Sequence, residues 1–241
     1  MSMELLEKIL DDASAWDSPL EEIVPVHYGE FFLHPRWYEV LKMIEQKLPQ
    51  TKIVVPTNGS TLDPEVVSKL LDIKTLHILN ISINALFAET YKELMGFEPD
   101  TQIKIKEAIK YLSVLRPDIN IWVSMVYDPA FQTEKERDLF IKFWSAWATP
   151  QTHSTSFCQD YRKPLIEPTI PCRSIFQDFI ILWNGIVTPC CWDSDGTLEM
   201  GDVNKDSILD IWHGEPMDRL RGFHNDGKRG DIPICSVCTF S

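Results

Sequence analysis

Residues Thr51 to Asn84 read TKIVVPTNGSTLDPEVVSKLLDIKTLHILNISIN, and this stretch decides the fold. It opens with "TKIVVPTNG", a β-branched run closed by the turn pair Asn58-Gly59. "DPEVVSKLLDI" has helical character, and "TLHILNISIN" returns as a second apolar strand. Two apolar strands joined by a helix make a βαβ unit, which implies parallel pairing.

The alternation continues on both sides. Upstream, "MELLEKILDDAS" has helical apolar spacing, "EEIVPVHYGE" carries a short apolar strand, and "PRWYEVLKMIEQKL" is an amphipathic helix with Pro35 at its start. Downstream come helices in "AETYKELMG" and "DTQIKIKEAIKYLSVL", a strand in "INIWVSMVYDP" and a helix in "EKERDLFIKFWSAW". This periodicity predicts an α/β fold with a mainly parallel sheet, open or curled toward a barrel. The loops "YGEFF", "TNGS", "SINALF" and "MVYDPAF" gather at the strands' carboxyl ends, where such folds place their sites. Residues 148–171 hold four prolines and little periodicity, so they read as the connection to a second module. The expected division is 1–160 and 161–241.

Composition limits the function classes. With 44% hydrophobic and 24% charged residues, the 241-residue chain has the makeup of a folded protein. A net charge of −13 without any Lys/Arg run disfavours nucleic acid as a partner. The N-terminus lacks a secretion signal and no apolar window could span a bilayer, so the sequence reads as cytoplasmic and free of membrane. The sequons at Asn58 and Asn80 are then expected to carry no glycan.

All six cysteines follow residue 157. In a reducing compartment they are metal ligands or free thiols rather than disulfides. "FIILWNGIVTPCCWD" (179–193) reads as a β-hairpin around Asn184-Gly185. Strand alternation would send Cys190 and Cys191 to opposite faces, so only one could share a site with Cys172. "SILDIWHGEPMDRLRGFHN" forms one or two helices, and "PICSVC" closes the module with a C-x-x-C. That pair alone fits a redox dithiol, half a zinc site or half an iron–sulfur site.

The whole pattern is more specific. Cys172 is followed by 12 residues, Gly185, four residues and Cys190, then by "MGDVNKDSILDIW" and Cys235-x-x-Cys238. This order resembles the auxiliary-cluster module, SPASM or its shorter twitch form, of radical S-adenosylmethionine (radical SAM) enzymes. The earlier part resembles the core of the same family in "HYGEFFLHPRW", "VVPTNGSTL" and "ISINALFAETYKELMG". The resemblance implies a partial (β/α)6 TIM-like barrel with a small α+β cluster-binding module.

It also implies cofactors and roles. An auxiliary 4Fe-4S cluster would be held by Cys172, Cys190, Cys235 and Cys238, with S-adenosyl-L-methionine and a second 4Fe-4S cluster in the intact protein. Glu30 matches the acid that receives the cofactor's methionine ammonium. Ser82 and Asn84 match ribose contacts, and Asn58 belongs to the same floor. The structural alternatives are a strand-end carboxylate at Glu30, ordinary strand termini at Ser82 and Asn84, and a plain turn at Asn58. Family members carry C-x3-C-x2-C after the first barrel strand, and this sequence has no such triplet. The chain therefore reads as beginning after that loop, with the first strand missing, and as unable in this form to cleave S-adenosylmethionine.

In the intact family a 5′-deoxyadenosyl radical abstracts a substrate hydrogen, which here implies alcohol or cyclitol dehydrogenation or peptide modification. The substrate would be a small molecule or a peptide, and the reducing partner a flavodoxin or ferredoxin. A non-catalytic scaffold, or a zinc-stabilised interaction domain using the same four sulfurs, are the readings from other classes. Cys191 is expected as a small buried hydrophobe, and Cys158 as a free thiol. His27, His34 and His77 read as ordinary core or surface groups.

Overall fold

The computed structural model describes residues 1–154, 170–236 and 238. Two compact units emerge: Pro19–Thr155, and Met1–Ser18 with Ser156–Ser241. The expected boundary between residues 160 and 161, and Cys158, lie outside the described residues.

Helix α1 (Met3–Ser14) opens the chain and belongs to the second of these units. In the Pro19–Thr155 unit, β1 (Glu22–Ile23) leads through a 3-10 turn at Phe31–Leu33 to α2 (Trp37–Lys47). There follow β2 (Lys52–Thr57), α3 (Pro64–Leu70), β3 (Leu76–Ser82), α4 (Ala88–Met95), α5 (Pro99–Leu115), β4 (Asn120–Tyr127), α6 (Glu134–Trp144) and β5 (Thr149–Ser154). The five strands form one sheet in chain order, and every neighbouring pair is parallel. This is the α/β architecture that the alternating pattern implied.

Apolar periodicity explains why the elements pack as they do. In β2, Ile53, Val55 and Thr57 are buried while the residues between them are more accessible, the period-2 signature of a strand. Leu41 and Ile44 of α2 and Ile105, Ile109 and Leu112 of α5 are fully buried at helical spacing. Each such side chain contributes about 1.5–3 kcal/mol, which outweighs intrinsic helix propensity. Caps set the boundaries: Asp63 Oδ1 accepts from Val66 N at 2.8 Å ahead of Pro64, and Thr133 Oγ1 accepts from Glu136 N at 3.1 Å.

Two elements differ from the sequence reading. The strand expected in "EEIVPVHYGE" pairs only at Glu22↔Lys52 and Ile23↔Ile53. Pro25 follows closely and has no N–H to donate. Beyond Ile53 the β1 side of β2 carries no ladder, which is where Pro56 is tolerated. The second difference is β5. Thr149–Ser154 pairs with β4 from Trp122↔Thr149 to Tyr127↔Ser154, although the aperiodic stretch 148–171 was read as connection. Its polar composition and Pro150 conceal it, and an edge position accommodates both.

In the other unit, α7 (Ser174–Gln177) precedes β6 (Ile180–Ile181), β7 (Ile186–Thr188) and β8 (Gly201–Asp202), an antiparallel sheet in that order. Then come α8 (Ile208–Trp212), α9 (Glu215–Asn225), a 3-10 turn at Arg229–Asp231 and α10 (Pro233–Ser236). The β6-β7 hairpin turns at Gly185, whose φ is 94° and whose missing Cβ leaves room for the Asn204 amide. That amide donates to Asn184 O at 2.8 Å and to Asp202 Oδ1 at 2.7 Å, clamping turn and third strand together. Arg221 stacks over Trp212 at 4.1 Å and donates to its carbonyl, joining α9 to α8. Lys8 of α1 reaches Asp206 O at 3.2 Å.

Gly59 is the tightest joint in the sheet unit. Its φ is 78°, and a Cβ there would stand 2.9 Å from Ile105 Cδ1 and 3.0 Å from Ile81 Cγ2. Gly96 has φ 72° with nothing within 4 Å. Gly59→Ala is therefore expected to destabilise by about 2–4 kcal/mol and Gly96→Ala by only about 1 kcal/mol, read from urea unfolding midpoints. Equal costs at the two sites would show that the contact with Ile105 and Ile81 does not constrain the turn.

Candidate cofactor site and cluster site

The carboxyl ends of the parallel strands hold the first group of polar residues. Glu30 caps the 3-10 turn after β1, its Oε1 accepting from Phe32 N at 3.2 Å and from Thr57 Oγ1 at 2.7 Å. Its Oε2 accepts from Asn58 N at 2.6 Å. One carboxylate thus ties the loop after β1 to the end of β2. Asn58 Oδ1 accepts from Ser60 N at 2.9 Å, an Asx turn, and Thr57 Oγ1 accepts from Gly59 N at 2.9 Å.

Ser82 ends β3, and its hydroxyl accepts from Ser124 Oγ at 3.3 Å across to β4. Asn84 has φ 60°, a left-handed conformation that its short amide supports. Its Oδ1 accepts from Val126 N at 2.9 Å and its Nδ2 donates to Met95 Sδ at 3.1 Å. Much of the Asn84 amide is committed to the protein itself.

The structure therefore brings Glu30 and Asn58 into direct contact, and places Ser82 and Asn84 at the end of the next strand. Two buried residues were absent from the sequence reading. Gln132 donates to Asn84 O and accepts from Asp128 N at 2.7 Å, while Glu136 accepts from Leu86 N at 2.9 Å, Phe87 N at 3.0 Å and Thr90 Oγ1 at 3.3 Å. Together they fix the loop after β3. Tyr28, Leu33, Phe87 and Phe131 on the loops after β1, β3 and β4 remain exposed. His34 Nδ1 accepts from Arg36 N at 3.2 Å, an ordinary local contact.

The second group is made of sulfur. Cys172 is half-buried and donates its backbone N–H to His224 Nδ1 at 3.1 Å. Cys235 lies in α10, Cys238 just beyond it, and both are buried. Burial pushes the Cys235 thiol up to about 12; Arg229 opposes the shift, while Cys190, Cys238 and Cys172 add to it.

Cys191 departs from expectation. It is exposed rather than buried, and its thiol is hydrogen-bonded to that of Cys190. The alternation argument does not apply, because β7 ends at Thr188 and Pro189 begins a bend. The contact raises Cys190, with burial adding to the effect, and draws Cys191 down to about 7.

This bend is held by Asp193. Burial alone would raise its carboxyl, but bonds from Thr188 Oγ1 at 2.6 Å, Thr197 Oγ1 at 2.6 Å, Thr197 N at 2.8 Å and Leu198 N at 2.9 Å hold it below the usual range.

No three His, Cys, Asp or Glu side chains among the described residues stand at the spacing of a single bound metal ion. A tetrahedral zinc gathers its sulfurs at about 2.3 Å from one centre, whereas a 4Fe-4S cube attaches each thiolate to a different iron. The expected donor set is all sulfur, the chemistry that suits an iron–sulfur cluster.

Residues 1–140 match the profile described as the radical SAM superfamily. The chain belongs to that family. Residues 172–239 match SPASM, described as an iron-sulfur cluster-binding domain. A curated relative, S-adenosyl-L-methionine-dependent 2-deoxy-scyllo-inosamine dehydrogenase from Niallia circulans, is 33% identical over 54 residues. That match spans 22% of this chain and 22% of the enzyme.

Solved radical SAM structures share the fold. BtrN in complex with AdoMet and 2-DOIA superposes with a TM-score of 0.66 at 16% identity, covering 99% of this chain and 80% of that one. Streptococcus suis SuiB bound to precursor peptide SuiA gives 0.69 at 17%, covering 98% and 63%. A histidine-tagged anSMEcpe with bound AdoMet gives 0.66 at 13%, covering 99% and 76%.

Asp193→Ala leaves four donors without their acceptor and should cost about 2–4 kcal/mol in chemical unfolding of the module. A loss below about 0.5 kcal/mol would mean the loop bearing Cys190 is held by something else.

Proposed function

We propose that this protein is a radical SAM oxidoreductase that dehydrogenates a hydroxyl group on a small polar ring. The observation that carries the reading is that the match to the iron-sulfur cluster-binding domain spans Cys172, Cys190, Cys235 and Cys238 in a chain of this family. Bound S-adenosyl-L-methionine, reduced by a 4Fe-4S cluster, supplies a 5′-deoxyadenosyl radical that takes a hydrogen atom from substrate carbon.

The rest falls to the protein. Glu30 is assigned to the cofactor's methionine ammonium, with Asn58, Ser82 and Asn84 on the ribose side. Because Asn84 already serves Val126 and Met95, it offers at most one further amide proton. Cys172, Cys190, Cys235 and Cys238 would hold the auxiliary cluster, and full cysteine ligation leaves no open iron for substrate. Held there, it would supply a one-electron acceptor for oxidation of the substrate alcohol to a carbonyl, the hydroxyl proton passing to solvent. The apolar rim of Tyr28, Leu33, Phe87 and Phe131 would exclude water from that radical.

Local similarity to a dehydrogenase supports a small-molecule substrate. Peptide modification is the second reading, favoured by the superposition on SuiB. We place the core at 1–160 and the module at 161–241, with flavodoxin or ferredoxin as electron donor in the cytoplasm. Among the described residues no helix is long and apolar enough to cross a membrane.

Anaerobic reconstitution with iron and sulfide should load about four irons per chain into the module, with Cys235→Ser abolishing the brown absorbance and Cys158→Ser sparing it. One zinc and no iron would overturn the cluster. Glu30→Gln should weaken S-adenosyl-L-methionine binding about tenfold or more in calorimetry, the worth of one charge-assisted bond. Unchanged affinity would reduce Glu30 to a loop clamp.

A further inference from the structure

Two buried polar side chains beside the sulfur set lack the partners that burial demands. His224 is fully buried on α9, and its Nδ1 accepts the N–H of Cys172. An acceptor Nδ1 fixes the imidazole proton on Nε2, and that nitrogen has no hydrogen-bond partner among the described residues. Arg229 is 1% exposed. One of its terminal nitrogens donates to Ile170 O at 3.3 Å, while its Nε is buried without a partner among the described residues. Among the described residues it forms no ion pair, and it is buried in the same unit as His224.

A buried guanidinium without a counter-charge and a buried N–H donor without an acceptor are both strongly unfavourable. Both residues adjoin expected ligands: His224 Nδ1 is bonded to the backbone of Cys172, and Arg229 opens the 3-10 turn just before α10, which carries Cys235. A 4Fe-4S cube with four thiolates carries roughly two net negative charges and sulfur acceptors on every face. Such a cluster supplies an anion and an acceptor together at this place.

We infer that His224 and Arg229 are the electrostatic wall of the auxiliary cluster, His224 donating Nε2–H to a cluster sulfur and Arg229 acting as its buried counter-charge. They are positioning residues that set the cluster's readiness to accept an electron. Reduction adds negative charge, so a fixed cation and a sulfur-directed donor both favour the reduced state and raise the potential. This rests on the iron–sulfur reading of the module.

The test is an EPR-monitored redox titration of the reconstituted full chain, with iron and sulfide counted first. A preparation lacking about four irons per chain would defeat the cluster reading itself. With iron in place, Arg229→Met should shift the reduction equilibrium at least tenfold toward the oxidised form, about 59 mV more negative for a one-electron couple. His224→Leu should shift it the same way. Arg229→Lys and His224→Gln should recover at least half of the respective shifts, which a merely structural role would not produce.

Loaded Met and Leu variants at the wild-type potential would overturn the inference. Should Arg229→Met bind no iron, the lysine variant decides. Its loading near the wild-type potential supports the counter-charge role, and its failure to load overturns it.

Discussion

Parallel pairing in strict chain order is the constraint from which the rest follows. Because β1 to β5 neighbour one another in sequence, every return from a strand's carboxyl end to the next must cross the same face through a helix. The loops after β1, β2, β3 and β4 are thereby collected on one edge, whatever their composition. Glu30, Asn58, Ser82 and Asn84 are adjacent for that reason and not through any local sequence preference.

That edge is then made rigid by a repeated device: a carboxylate spent on backbone and hydroxyl donors. Glu30 binds Phe32, Thr57 and Asn58, and Glu136 binds Leu86, Phe87 and Thr90. The cluster unit uses the same solution at Asp193. A charged acceptor makes bonds about twice as strong as a neutral one, so a single residue can hold a loop that apolar contacts do not reach. A group already accepting from three donors is also oriented before any ligand arrives, which lowers the ordering cost of binding.

Much of this architecture was legible because periodicity carries it. The β-branched run at Lys52–Thr57 and the helical spacing of Pro99–Leu115 each announce a buried face, and the structure uses both faces. What escaped has a common cause: local rules were outvoted by neighbours far away in sequence. β5 is polar and carries Pro150, yet β4 supplies its ladder. Thr133 and Glu136 have the spacing of a capping box, which would leave the glutamate on the helix surface, but its carboxylate crosses to the loop after β3 and is buried. The placement of Cys191 failed for a different reason, since strand alternation was carried three residues past the strand's end.

Arg229 is the clearest case of a residue whose meaning lies outside its sequence neighbourhood. In "GKRGD" it reads as one more surface charge on a chain with a net charge of −13. Those surplus acidic groups act mostly through water, where the attraction or repulsion of unit charges a Debye length of about 8 Å apart is largely screened. The buried guanidinium acts on Cys235 through protein, where an effective dielectric near 20 makes the same interaction about four times stronger than in water. At equal distance, one enclosed cation therefore outweighs an exposed carboxylate. The potential there is set by what is buried beside it, and the acidic exterior bears instead on solubility and on which partners approach.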